Sequence, residues 1–158
     1  MDVVRVGVTA PIGFKASGLF CGIKKLRKDI ALVVSDVPAV AAAMFTTNTV
    51  VAAPVVVDRE QMARGGKIRA IIVNSGNANA CTGERGMNDA WTMVKDTAEA
   101  LGIDKTEVLV SSTGVIGQYL PMDVVRPGVR AACAISICRP GRNASSRRMQ
   151  WCWPRGWG

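Results

Sequence analysis

Two short loops carry the residue types able to do chemistry in this chain. Ser111 to Gly117 reads SSTGVIG and follows the apolar run EVLV, so it stands at the carboxyl end of an expected strand, where substrates of α/β sheets commonly bind. A threonine hydroxyl beside a glycine backbone N–H, here Thr113 and Gly114, is a paired donor suited to the oxyanion that develops in acyl transfer. Asn74 to Gly86 reads NSGNANACTGERG and follows IRAIIV. Its small and amide residues leave backbone N–H groups bare and tolerate positive φ, so it forms either an anion-holding nest or a long turn. It matches neither the Walker phosphate loop nor GxGxxG. Cys81 within it has no histidine to activate it and reads as a small packing residue.

Histidine is absent from all 158 residues, which removes Ser-His-Asp and Cys-His catalysis and every zinc site that needs an imidazole. The composition, 49% hydrophobic and 20% charged, is that of one globular domain with a sizeable core. Apolar runs stop at nine residues (Val37 to Phe45) and eight (Val50 to Val57), against the ~20 that span a bilayer. No basic start followed by an apolar stretch is present, and the odd number of cysteines, five, suits a reducing compartment. We therefore expect a cytoplasmic protein with no membrane partner.

The elements that must position the two loops are short. Ile30 to Ser35 and Ile68 to Val73 read as buried strands, and a third strand ends at Val108 to Val110. Their unbroken Val and Ile content predicts a sheet covered on both faces. A helix is expected over Asn88 to Leu101, where Trp91, Val94, Ala98 and Leu101 recur at helical spacing, with Asn88 as N-cap and Gly102 as stop. Trp91 reads as core. The segment after Pro54 suits a helix or a strand equally.

Five segments together carry a resemblance: GVTAPIGFKASG (7 to 18), GIKK (22 to 25), DIALVVSDVPAVAAAMFTTN (29 to 48), IVNSGNANACTGERG (72 to 86) and VLVSSTGVIGQYLPMD (108 to 123). Residues 5 to 123 thereby resemble the bifunctional ornithine acetyltransferase/N-acetylglutamate synthase family of arginine biosynthesis. The resemblance implies an α/β fold, a layered sheet-and-helix domain of the ornithine acetyltransferase (DmpA/ArgJ-like) type, here incomplete. It also implies a precursor that cleaves itself before a threonine, which becomes the nucleophile of the β chain, in an α2β2-type assembly. Acetyl groups would pass from N-acetylornithine to glutamate, with acetyl-CoA as a second donor in bifunctional members, and with no metal or prosthetic group. The free α-amine of such a threonine can act as its base, which accommodates a chain without histidine. On this resemblance Thr113 and Gly114 are the oxyanion hole, and Asn74, Ser75, Gly76 and Asn77 belong to the active-site wall.

The family pattern departs after LPMD. No threonine follows Thr113, so the nucleophile is missing and the chain alone is expected to be inactive. Charge changes at the same place: residues 1 to 123 hold thirteen basic and all twelve acidic residues, whereas residues 124 to 158 hold seven arginines and neither lysine nor acid. Three of four tryptophans and three of five cysteines lie there too. Three readings of 124–158 compete, namely an RNA-binding arm, a disordered terminus, and an out-of-frame translation. The loss of lysine favours the last, with 124–158 lying outside the fold and no nucleic-acid partner. The chain as a whole reads as an acetyltransferase α-chain part, or alternatively as a noncatalytic small-molecule binding or assembly module derived from that fold.

Overall fold

The computed structural model describes residues 7–138. Four strands, β1 (Phe14–Leu19), β2 (Ile30–Val40), β3 (Lys67–Asn77) and β4 (Val108–Val115), form one sheet in chain order. The first three run as an antiparallel meander, and β4 lies parallel to β3. A parallel neighbour needs a crossover, and helix α2 (Gly83–Leu101) supplies it. Helix α1 (Ala53–Ala63) connects β2 to β3, and α3 (Met122–Cys138) follows β4. The ambiguous segment after Pro54 is thus helical, with the proline in the first turn, where its missing N–H costs nothing.

Alternation along the strands decides where the core lies. Ile30, Leu32 and Val34 of β2, Ala70 and Ile72 of β3, and Val108 and Val110 of β4 are buried against the helices. The intervening residues are not: Ala31 and Ile71 are exposed, while Val33, Val73 and Leu109 are half-buried. Among the described residues the sheet is covered on one face only, which corrects the expectation of two. The unbroken apolar runs are nonetheless real, and they leave an apolar second face open.

Helix α2 begins five residues earlier than the periodicity implies, with Thr82 rather than Asn88 preceding it, and it stops at Gly102 in the left-handed region (φ 66°) as expected. The early start has no apolar signature because its first turn is GERG, held instead by packing of Gly86 under Thr82 and Asn79. Trp91 packs half-buried against the core.

The expected boundary at residue 123 is moved by α3. Val125, Val129, Ala132 and Cys133 are fully buried in the core, a helical spacing that the surrounding arginines, Pro127 and Gly128 obscure in the sequence. Two of those arginines close on one carboxylate: Arg126 reaches Asp96 of α2 through Nε (2.7 Å) and Nη2 (3.2 Å), and Arg130 stands 3.6 Å from it. Asp96 is buried, so this bidentate pairing satisfies a group that would otherwise be orphaned. Ser17 of β1 donates to the Ala132 carbonyl at 2.8 Å. Residues 124–138 are therefore part of the fold. The rest of the basic segment, with Trp151, Trp153 and Trp157, lies outside the described residues.

Helix α1 closes the outer edge of β4. Asp58 Oδ1 accepts the Val110 N–H at 2.9 Å, and Gln61 Nε2 donates to the carbonyls of Lys105 (2.5 Å) and Val108 (3.2 Å). An edge strand's free backbone groups are thus partnered in place of another chain.

Two tests follow from this packing. A Cβ on Gly128 would lie 2.6 Å from Cys21 Cβ and 3.3 Å from Ile30 Cγ1, so Gly128→Ala forces α3 off β2 and the turn before it and should cost about 1–3 kcal/mol in urea unfolding. Burial pushes the Asp58 carboxyl from 3.8 up to about 6, although the Val110 N–H lowers it. Its contribution to stability is then fully present below pH 3.8 and is lost as pH rises through about 6. Asp58→Asn should therefore stabilise by about 1 kcal/mol at pH 8, after discounting for partial exposure, and the gain should vanish at pH 4.

Candidate active site

Thr113 and Gly114 lie at the carboxyl end of β4, directly beside Ser75 and Gly76 in the parallel register. Gly114 has φ 135° and Gly76 φ 110°, conformations that L side chains rarely adopt. A Cβ on Gly114 would stand 2.5 Å from the Gly76 carbonyl oxygen and 2.6 Å from the Asn77 nitrogen. Backbone, not a flexible side chain, occupies that space, so only glycine fits. Thr113 is exposed, and paired residues of a parallel register share a face, which puts the Thr113 and Ser75 hydroxyl-bearing side chains on the open side of the sheet.

The amides of the NSGNANACTG loop face inward. Asn74 Nδ2 donates to the Asn77 carbonyl (2.8 Å), and Asn77 Nδ2 donates to the carbonyls of Tyr119 (2.9 Å) and Gln118 (3.3 Å). Asn79 Nδ2 donates to the Gly86 carbonyl (2.7 Å) while its Oδ1 accepts from Thr82 (2.6 Å). Backbone bonds from Ala78 to Val115 and from Gly117 to Ala80 tie the loop to the end of β4 and the residues after it. Of the four wall residues expected from sequence, Asn74 and Asn77 are thus buried pins, and Ser75 and Gly76 are the half-buried pair. Three polar atoms beneath them, Asn74 Oδ1, Asn77 Oδ1 and Ser112 Oγ, are buried without a partner. Cys81 is exposed with φ 57°, not packed as expected.

A residue outside both loops reaches this corner. The buried Asp29 accepts backbone N–H groups from Cys21 (2.7 Å), Lys24 (2.9 Å) and Gly22 (3.2 Å). Burial raises its pKa, but those donors and the Cys21 thiol outweigh it and hold the carboxyl below its ordinary value. The Cys21 thiol is pushed up to about 11 by burial and by the Asp29 carboxylate, which leaves it protonated and unreactive. The loop so fixed lays Lys24 across Gly76, where its Nζ donates to Ser75 Oγ. The sequence signal for Lys24 was only its place in GIKK, with nothing in its spacing to link it to Ser75. No group of three or more metal-ligating side chains occurs among the described residues, and no helix among them is long and apolar enough to cross a membrane.

The family model described as "ArgJ family" matches residues 15–147. This chain belongs to the ArgJ family. The match continues past residue 123, as α3 does. The arginine biosynthesis bifunctional protein ArgJ of Caldanaerobacter subterraneus subsp. tengcongensis is 51% identical over 141 residues, covering 89% of this chain and 34% of that relative. The protein of the same name from Streptococcus thermophilus is 46% identical over 129 residues, covering 82% of this chain and 32% of the relative. The chain therefore spans about a third of the length of these curated relatives. The crystal structure of the ArgJ protein from Bacillus halodurans superposes with TM-score 0.80 at 49% identity, covering 82% of this chain and 68% of that one. Ornithine acetyltransferase from Mycobacterium tuberculosis, solved with ornithine, gives TM-score 0.79 at 43% identity, covering 84% and 72%. The layered α/β sheet-and-helix fold is that of the ornithine acetyltransferases.

At Gly114 an added side chain would meet backbone atoms on the neighbouring strand. Gly114→Ala should separate β3 from β4 and lower the thermal midpoint further than Gly117→Ala, whose added Cβ meets nothing within 4 Å. Both positions have positive φ, so the comparison isolates the steric cost of the backbone contact.

Proposed function

We propose that this chain supplies the oxyanion-binding half of an acetyltransferase site. The observation that carries the reading is the Thr113–Gly114 pair, held on the open face of the sheet by a backbone contact that no side chain can enter. A hydroxyl and a backbone N–H fixed in this way need no reorganisation as charge develops on the carbonyl oxygen. In the reaction, the hydroxyl of the β chain's N-terminal threonine attacks the acetyl carbonyl of N-acetylornithine. Thr113 and Gly114 donate to the tetrahedral oxyanion, the C–N bond breaks, and ornithine leaves carrying the proton taken from the threonine. Glutamate's amine then attacks the acetyl ester and releases the threonine, with acetyl-CoA as an alternative donor. The ornithine bound to the Mycobacterium tuberculosis relative supports the substrate class.

The open apolar face supports a β-chain partner in an α2β2-type assembly, since Ala31, Val33, Ile71, Val73 and Leu109 form a surface of the kind that partners cover. These are soluble amino-acid substrates, and the reading places the reaction in the cytoplasm. The second reading is a noncatalytic small-molecule binding or assembly module derived from the same fold. Mixing this chain with the β chain of a relative separates the two: restored acetyl transfer from N-acetylornithine to glutamate supports the enzyme, and no restoration supports the module. In the restored enzyme Thr113→Val should lower kcat by about 10²–10³, measured by glutamate acetylation; an unchanged kcat would remove Thr113 from the site.

A further inference from the structure

We propose that Lys24 is a positioning residue for the oxyanion site, acting through Ser75 on Thr113; this rests on the acetyltransferase reading. Three observations converge. Asp29 fixes the Lys24 backbone by accepting its N–H together with those of Cys21 and Gly22. Gly76 leaves the lysine stem its path, because a Cβ there would lie 2.8 Å from Lys24 Cγ and 3.4 Å from Cε. The ammonium then donates to Ser75 Oγ, and Ser75 is the registered neighbour of Thr113.

The direction of the hydrogen bond determines what the lysine can do. An ammonium has donors only, so the Ser75 oxygen accepts from Lys24 and its own proton is free for another oxygen. Thr113 is the neighbour of Ser75 on the adjacent strand and the same face, and in this proposal the Thr113 hydroxyl is the acceptor once substrate is bound, which leaves the Thr113 proton for the substrate carbonyl. A chain of donors that begins at a fixed positive charge polarises each member in turn. No proton is transferred along it. The chain orients the Thr113 donor, and it brings a cation within three hydrogen bonds of a developing negative charge. A lysine that only covered the sheet end would not need an ammonium directed at Ser75.

The test uses variants of this chain with the β chain of a relative. Lys24→Met should lower kcat about tenfold with the KM for N-acetylornithine within about twofold, and Lys24→Arg should recover most of the loss. Ser75→Ala should give a similar fall, and the double variant should be no worse than either single one, because both break the same chain. A raised KM with kcat intact, losses that multiply in the double variant, or a Lys24→Met enzyme equal to the unsubstituted one would each overturn the proposal. If the unsubstituted pair transfers no acetyl group, the acetyltransferase reading fails, and the coupling is then read in this chain alone by NMR. Lys24→Met should shift the Thr113 and Gly114 amide resonances with no change in unfolding midpoint. Unmoved resonances overturn the coupling.

Discussion

The close approach of Gly114 to Gly76 is the contact on which the site depends. Two parallel strands ordinarily carry side chains at every paired position, and the backbones stay about 4.8 Å apart. Here both partners lack a Cβ and both take positive φ, so at the carboxyl ends of the strands a Cβ on Gly114 would run into the Gly76 and Asn77 backbone. Thr113 precedes this contact and Asn77 follows it on the other strand. The Gly114 N–H direction is consequently set by backbone packing, which is the most rigid support a protein can give a donor. Side-chain donors need second partners to hold their rotamers; a backbone N–H between two packed strands needs none.

Everything around that contact is arranged to keep it from opening. The amide N–H groups of Asn74, Asn77 and Asn79 are spent on backbone carbonyls, which meets most of the cost of burying a polar loop, although Asn74 Oδ1 and Asn77 Oδ1 stay without a partner. Asp29 does the same for the turn that carries Lys24. Asp58 and Gln61 hold β4 from its outer edge, so the strand bearing Thr113 is fixed from both sides. Among the described residues the helices pack on one face only, and the candidate site lies at the end of the other.

Legibility in the sequence follows from which interactions are local. Strands β2 and β3, the body of α2 with its Gly102 stop, and the Thr113–Gly114 pair were visible because apolar runs, periodicity and small-residue loops are properties of adjacent residues. Helix α3 was hidden because its arginines look like a compositional anomaly until Asp96, thirty residues earlier, is seen between them. Lys24 was hidden for the same reason, its partner Ser75 being fifty-one residues away. The open second face was invisible because an apolar run reports that both faces are apolar, not that both are covered. The layered α/β class nevertheless followed from those few local signals, and the ArgJ resemblance added the roles that spacing could not.

The absence of histidine shapes how such a site must work. General base catalysis near neutral pH usually falls to imidazole, and this chain has no such group. What it contributes instead are donors: a hydroxyl, a backbone N–H and an ammonium, all aimed at one end of the sheet. In the acetyltransferase reading these groups stabilise charge, and the nucleophile with its base is the part assigned to the β chain. The division is physically economical. A rigid sheet end is the right place for preorganised dipoles, whereas a freed chain terminus, with its own amine beside its hydroxyl, is the right place for a nucleophile that carries its base. In the acetyltransferase reading, the open apolar face next to the donors is where the two halves of such a site would join, since a covering partner would exclude the water that otherwise screens them.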